Sequence, residues 1–401
     1  MSKNEGKSSF QLLDSASAVG FLAYSASVTV TPISLVILAN ELNFSLTAGG
    51  ALEVARSVPL FAMLLTAAVV AGRWGKVRAL AFSCFALAAG MWMYSFAHNY
   101  TFVLIALALL GAGGGLLEAL INPLTQDLHP KDSGRYLNII NGFWSIGVLL
   151  TVLIGGELLT RDVSWRFLVA GLGVLSALAG FFYIVARHQQ PEGPRHRASD
   201  VLGHKMEILR LKHFWTIVPM MFFGGAVEGA YLFWSASYIQ IDFEASPRAA
   251  GIGTALFAMG MIIGRFAIGW LLKQESLWRL IVGSVILGFV VSLAVPFTDS
   301  LWLLYGLLFL AGLSVASFWP SIQSYAADRL PVETTSLFIL LSCAGLPGFA
   351  FASWLLGYIG EHAGLTWSFG TVPILFLLLG IFSLVEREMD SHSRQSQKTK
   401  A

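Results

Sequence analysis

The chain has 401 residues, of which 56% are hydrophobic and 12% charged, with a formal net charge of +2 and a mean hydropathy of +0.71. Such a composition excludes a water-soluble globular domain and specifies a polytopic membrane protein. The small positive charge follows from membrane orientation and implies no nucleic-acid partner.

In chain order, a polar tail over residues 1–15 precedes six apolar runs near 16–39, 47–71, 77–97, 101–126, 136–159 and 164–186. Each holds about 20 residues, enough for a helix to cross a hydrocarbon core of roughly 30 Å. A hydrophilic segment over 187–212 follows, and six further runs fall near 213–239, 248–272, 277–297, 300–327, 334–360 and 365–385, before a polar tail over 386–401. The expected fold is an all-α membrane protein, twelve spans in an N-terminal bundle (16–186) and a C-terminal bundle (213–385). Lys and Arg collect in the even-numbered connections and tails, for example Arg73, Lys76, Arg78 and Arg210, against Arg161, Arg166 and Arg248 on the other side. That bias places both termini in the cytoplasm. The first run is too long for a signal-peptide core and is expected to be retained as span 1. Cys84 and Cys343 fall inside spans, which leaves no disulfide framework and no Cys-based metal site.

The halves share short motifs. Leu60-Phe-Ala-Met63 recurs as Leu256-Phe-Ala-Met259, Pro123-Leu-Thr-Gln126 as Pro320-Ser-Ile-Gln323, and Ser164-Trp-Arg-Phe167 as Thr366-Trp-Ser-Phe369. The first two pairs put the offset at 196–197 residues, and a parallel six-span repeat is expected.

Glu118 stands in span 4 inside Gly111-Ala-Gly-Gly-Gly-Leu-Leu-Glu118-Ala-Leu-Ile-Asn122-Pro123. An ionisable group at that depth costs at least ~2.5 kcal/mol and is a functional-site hypothesis by default. Low dielectric disfavours the charged form of any carboxyl, so a change in water access can change its protonation. The alternative is a hydrogen bond to Asn138 or Asn141 on span 5. Glu53 and Arg56 share a helix face in span 2; they form either a structural ion pair or a site in which Arg56 meets a substrate carboxylate or ionised Glu118. Glu228 lies at similar depth in span 7, within Gly224-Gly-Ala-Val-Glu228-Gly-Ala-Tyr231. Trp144, Trp234 and Trp319 lie at internal positions of spans 5, 7 and 10, with Asn141 and Gln323 near two of them, and these rings and amides complete the candidate binding set. Tyr24 and Tyr231 are weaker candidates. No Gly-x-Ser-x-Gly elbow, phosphate-binding Gly-Lys-Ser/Thr loop or His-Glu-x-x-His occurs. The chain is therefore expected to be no enzyme, to need no cofactor or metal, and to draw on an ion or substrate gradient.

The arrangement resembles the major facilitator superfamily. The loop Gly72-Arg73-Trp74-Gly75-Lys76-Val77-Arg78 is similar to that superfamily's signature loop with Gly72 in place of its Asp, and Gly264-Arg265-Phe-Ala-Ile-Gly269 matches a pattern common there, which gives Arg265 a structural part. Gly111-Ala-Gly-x-Gly-x-Leu-Glu118-x-x-x-Asn122-Pro123, with Leu-His-Pro130-x-x-Ser133-Gly134 and Phe143-x-Ser145-x-Gly147, resembles the fucose, galactose and glucose proton-symporter family. That resemblance implies two bundles around a midplane cavity, with Glu118 in sugar binding or proton coupling. Span 1 reads Thr29-Val-Thr-Pro32-Ile-Ser without a carboxyl, so a second carboxyl would have to be Glu228. The expected function is proton symport of a small neutral solute such as a monosaccharide, in the cytoplasmic membrane, by a monomer in contact with lipid. Sodium in place of the proton, proton-driven efflux of lipophilic or cationic compounds, organic-anion transport and a non-transporting sensor are the alternatives.

Overall fold

The computed structural model describes residues 10–129, 133–189, 206–271, 276–332 and 334–400. Side chains are described for fewer residues, Asn138 and Gly269 being among those left out. Twelve helices among the described residues are long and apolar enough to span a membrane. Spans 1–6 are Leu12–Leu42, Leu46–Trp74, Lys76–Ser95, Tyr100–Leu128, Ser133–Thr160 and Trp165–Ala186; spans 7–9 are Lys212–Asp242, Pro247–Leu271 and Leu277–Ala294. Span 10 is two helices, Leu301–Val315 and Phe318–Arg329, span 11 is Thr334–Ala363, and span 12 joins Leu365–Gly370 to Val372–Lys400. Most of the hydrophilic segment expected at 187–212 lies outside the described residues.

Packing repeats between the halves. Span 1 lies on spans 5 and 6 as span 7 lies on spans 11 and 12; span 2 packs on 4 as 8 on 10, and span 3 on 6 as 9 on 12. Spans 1 and 7 are the most enclosed, with 83% and 72% of their apolar windows buried, so they line the centre of the assembly. Cross-bundle packing runs through spans 2 and 11, 5 and 8, and 1 and 7.

Local hydrogen bonds set the register of the repeat. Ser45 Oγ caps span 2 at Ala48 N, and Ser246 Oγ caps span 8 at Ala249 N. Asn99 Oδ1 accepts from Phe102 N at the start of span 4, and Ser300 Oγ from Leu303 N at the start of span 10. Each cap satisfies an amide that the helix cannot. Glu41 accepts from the Trp165 indole, and Asp242 from Thr366. Every one of these pairs is displaced by 201 residues. The offset of 196–197 expected from the tetrapeptide matches is therefore corrected: apolar tetrapeptides recur by composition, whereas caps mark fixed points of the backbone.

The face opposite the termini is shut by two seams in that same register. At one, Thr47 N donates to Glu361 Oε2 at 3.0 Å; at the other, Arg248 N donates to Thr160 Oγ1 at 2.7 Å. A Cβ at Gly50 would lie 2.3 Å from Ser353 O, and one at Gly251 2.3 Å from Val152 O. Backbones meet at both seams because no side chain intervenes, the close approach that small residues permit between membrane helices. Glu157 adds an ion pair to the second seam, accepting from Arg248 at 2.5 and 2.9 Å and from Arg161 at 2.7 Å. Gly251→Leu cannot be accommodated here without parting spans 5 and 8. The expected outcome is a longer distance between spin labels at the exposed positions His98 and Asp299, with the helical content unchanged.

Candidate functional site

The site begins with span 2, where Arg56 and Glu53, one turn apart, form a bidentate pair: Nε to Oε2 at 3.0 Å and Nη2 to Oε1 at 2.5 Å. Ser57 Oγ donates to the same carboxylate at 3.1 Å. Both charged side chains are buried, and the fork geometry is what permits two charges to sit away from water. Tyr24 of span 1 directs its hydroxyl at the same guanidinium. One donor, Arg56 Nη1, is buried with no hydrogen-bond partner.

Span 4 is brought against this pair by its glycines. A Cβ at Gly111 would lie 1.9 Å from Arg56 O, and one at Gly114 2.5 Å from the Tyr24 ring. Two turns further on, Glu118 keeps intermediate exposure while its neighbours Leu116, Leu117, Ala119 and Leu120 are buried. It therefore faces space at the bundle interface. Its surroundings are electrostatic: Arg56, Glu228 and Arg265 are the charges within range. The hydrogen bond expected from Asn141 goes elsewhere, to Asn122 Oδ1 at 2.9 Å and Leu137 O at 2.8 Å. The expected bond from Asn138 lies outside the described side chains. Gln323 Nε2 donates to Ser342 Oγ at 3.2 Å. This pair is the counterpart of Asn141–Asn122 in the other half, displaced by 201 residues. Each amide ties two neighbouring spans of its own bundle.

The C-terminal bundle supplies the opposing wall. Arg265 Nη2 of span 8 stands 4.0 Å from Glu228 Oε1 of span 7, and its guanidinium lies 5.9 Å from the Trp144 ring of span 5 in the other bundle. Arg265, expected to be structural, thus belongs to the central cluster. Trp319 turns its indole towards Glu228, and the ring occupies the space beside Gly345 where a Cβ would be 2.7 Å away. Glu228 Oε2, Tyr231 Oη and Arg265 Nε are buried without a partner. A buried polar atom left unmade costs about 1–3 kcal/mol; three of these atoms, on Arg56, Glu228 and Arg265, belong to the charges around Glu118 and suit exchangeable partners, whereas the Tyr231 ring packs on Phe257 and Phe369. Trp234, expected in the binding set, is fully buried and donates its indole N–H to Ser353 O at 2.8 Å. Its contact joins spans 7 and 11 and does not reach the cluster.

The signature-like loop has its own geometry. Gly75 carries φ 81°, a conformation side chains rarely adopt, and it turns the chain between spans 2 and 3. Lys76 Nζ then reaches Asp127 Oδ2 at 2.6 Å, at the end of span 4. Gly72 and Arg73 are exposed. The loop is thus fastened within its own bundle by Asp127, a residue that only the folded chain places next to Lys76.

The model of the Major Facilitator Superfamily matches residues 16–300 and 242–401 of the chain. Membrane protein MosC of Rhizobium meliloti is 25% identical over 293 residues, covering 71% of this chain and 67% of that protein. The L-fucose-proton symporter of Escherichia coli (strain K12) is 23% identical over 337 residues, 74% of each chain. Among solved structures, a bacterial homologue of the human lysosomal transporter Spinster, in an inward-facing and occupied conformation, superposes with a TM-score of 0.74 at 15% identity. It covers 94% of this chain and 96% of that one. Together with the twelve spans, the paired bundles and the charged space between them, the match across nearly the whole chain establishes that this protein belongs to the Major Facilitator Superfamily and is a membrane transporter.

Proposed function

We propose that the protein imports a small neutral polar solute, a monosaccharide being the best-fitting class, by proton symport across the cytoplasmic membrane with both termini inside. The observation that carries this reading is the charge balance at the midplane. Glu53 is paired with Arg56 and Glu228 faces Arg265, which leaves Glu118 as the carboxyl without a cation of its own. The cluster Glu53, Arg56, Glu118, Glu228 and Arg265 is neutral when Glu118 holds a proton and carries one negative charge when it does not. A net charge moved through low dielectric is costly, so the neutral, protonated cluster is the form suited to reorientation with a neutral solute. Trp144 and Trp319 offer apolar faces beside these polar groups, and the resemblance to an L-fucose-proton symporter points the same way. The shut face opposite the termini and the accessible Glu118 fit a carrier caught with its site turned towards the inside.

A second reading, carriage of a small organic anion, is favoured by one observation. Arg56 Nη1 and Arg265 Nε, from opposite bundles, are both unpaired donors, and guanidinium groups bind carboxylates well.

Glu118→Gln fixes the cluster in its neutral form and is expected to abolish uphill uptake while leaving exchange between equilibrated compartments intact. In proteoliposomes with ~100 mV of driving force, one proton supplies about 2.3 kcal/mol, roughly 50-fold accumulation of a neutral solute. The variant should reach about onefold. Wild-type accumulation in the variant would remove Glu118 from coupling.

Uptake of labelled hexoses and small organic acids, with and without an inward proton gradient, separates the two substrate readings. Gradient-dependent accumulation of a hexose that organic acids do not inhibit is the expected result. Movement of an organic acid alone would establish the second reading.

A further inference from the structure

Spans 9 and 12 of the C-terminal bundle meet with small residues between them. A Cβ at Gly288 would lie 2.1 Å from the Phe376 ring, and one at Gly380 3.2 Å from Val285. At the end that lies on the side of the termini, a tryptophan fills the seam instead. The Trp278 indole N–H donates to Ser383 O at 3.2 Å, and the Arg387 guanidinium lies over the Trp278 ring, 3.8 Å from its centroid. Such stacking orients an arginine without neutralising it. Arg279 follows Trp278 in the first turn of span 9. Both arginines are exposed, and among the described residues neither has a carboxylate within ion-pair distance, whereas Arg161, Arg166 and Arg248 on the shut face are each bonded to a glutamate.

The carboxylates beside Arg387 on span 12 are placed elsewhere. Glu386 is fully buried and faces His213 and Thr216 of span 7, and Glu388 stands one position further on, about 100° round the helix. The N-terminal bundle has no equivalent of the stacked pair. In the register of 201 residues Arg387 and Trp278 correspond to Ala186 and Val77, both buried. Deeper along the same two spans, Ile286, Ile381 and Leu384 are exposed.

We infer that this end of spans 9 and 12 binds one anionic phospholipid. Arg279 and Arg387 take its phosphate and headgroup charge, Trp278 fixes the headgroup level as interfacial tryptophans do, and the acyl chains follow the exposed aliphatic residues. Charge complementarity selects the occupant. Two guanidinium groups without a protein carboxylate, at a span end, match the bidentate geometry of a phosphate. A zwitterionic lipid offers the same phosphate but brings its own ammonium, so its net attraction is weaker.

The test uses the full-length protein in mild detergent and depends on neither the solute nor Glu118. Phosphatidylglycerol and phosphatidylcholine with the same acyl chains are offered in equal amounts, and bound lipids are counted by native mass spectrometry. The first phosphatidylglycerol is expected to bind about 30-fold more tightly than phosphatidylcholine, as two basic side chains near an anionic headgroup would give. Arg279→Gln and Arg387→Gln should each lower that preference about fivefold, and the two together should bring it to about onefold. Arg78→Gln removes an exposed arginine at the position that corresponds to Arg279 in the N-terminal bundle. It should leave the preference unchanged within about twofold.

Equal binding of the two lipids by the wild type, or a preference that survives the double substitution, would overturn the inference. So would an Arg78→Gln effect as large as that of Arg279→Gln, because diffuse positive charge would then account for the binding without a built site. Should Arg387→Gln fail to fold, since its side chain packs on Trp278, Arg279→Gln decides alone: a full wild-type preference in that variant overturns the site, and a fivefold loss supports it.

Discussion

Holding a charge away from water is the constraint on which the centre of this molecule depends. In hydrocarbon every backbone group must be satisfied internally, which is why the spans are helical, spans 10 and 12 each in two consecutive pieces. Side-chain charges obey the same rule less completely. Glu53 and Arg56 meet it with a bidentate bond and a third from Ser57; Glu228 and Arg265 meet it at a longer distance; Glu118 does not meet it with any ion-pair partner of its own. The gradation from a closed pair, through a loose pair, to a lone carboxyl is the basis of the proposal that the charge of the site changes.

The scaffold holds that cluster across two bundles that are near copies. In the register of 201 residues, the seams at Gly50–Ser353 and Gly251–Val152 coincide, as do the hydrogen bonds at Thr47–Glu361 and Arg248–Thr160. The chemistry departs from the symmetry. Glu118 corresponds in this register to Trp319, and Arg56 to Phe257. A symmetric frame can present either of two equivalent faces, while the asymmetric side chains leave Glu118, among the described residues, without an ion-pair partner and Arg265 at 4.0 Å from Glu228.

Much of this was legible in the sequence. Twelve apolar runs are long and strongly marked, and a carboxyl among glycines in such a run is conspicuous because its cost has no local compensation. The Glu53–Arg56 pair was equally readable, since three residues place two side chains on one helix face. Arg265 was not: Glu228 and the Trp144 ring lie 37 and 121 residues away in sequence, and only the packing of spans 5, 7 and 8 brings them together. Trp234 failed in the opposite sense, because nothing in its neighbours shows that its indole is already committed to Ser353 O. The repeat offset was misread for a related reason. Apolar tetrapeptides carry little positional information, and the caps that do carry it, at Ser45, Ser246, Asn99 and Ser300, sit in short polar connections where any one Ser or Asn is unremarkable.

The central claim is that Glu118 takes up and releases a proton at the midplane, and infrared difference spectroscopy of the purified protein in lipid tests it most directly. Spectra recorded across a pH titration should contain the carbonyl stretch of a protonated carboxyl that appears as pH falls, is present in the wild type and is missing from Glu118→Gln. A spectrum of Glu118→Gln identical to that of the wild type would contradict the account, since the proton would then reside elsewhere.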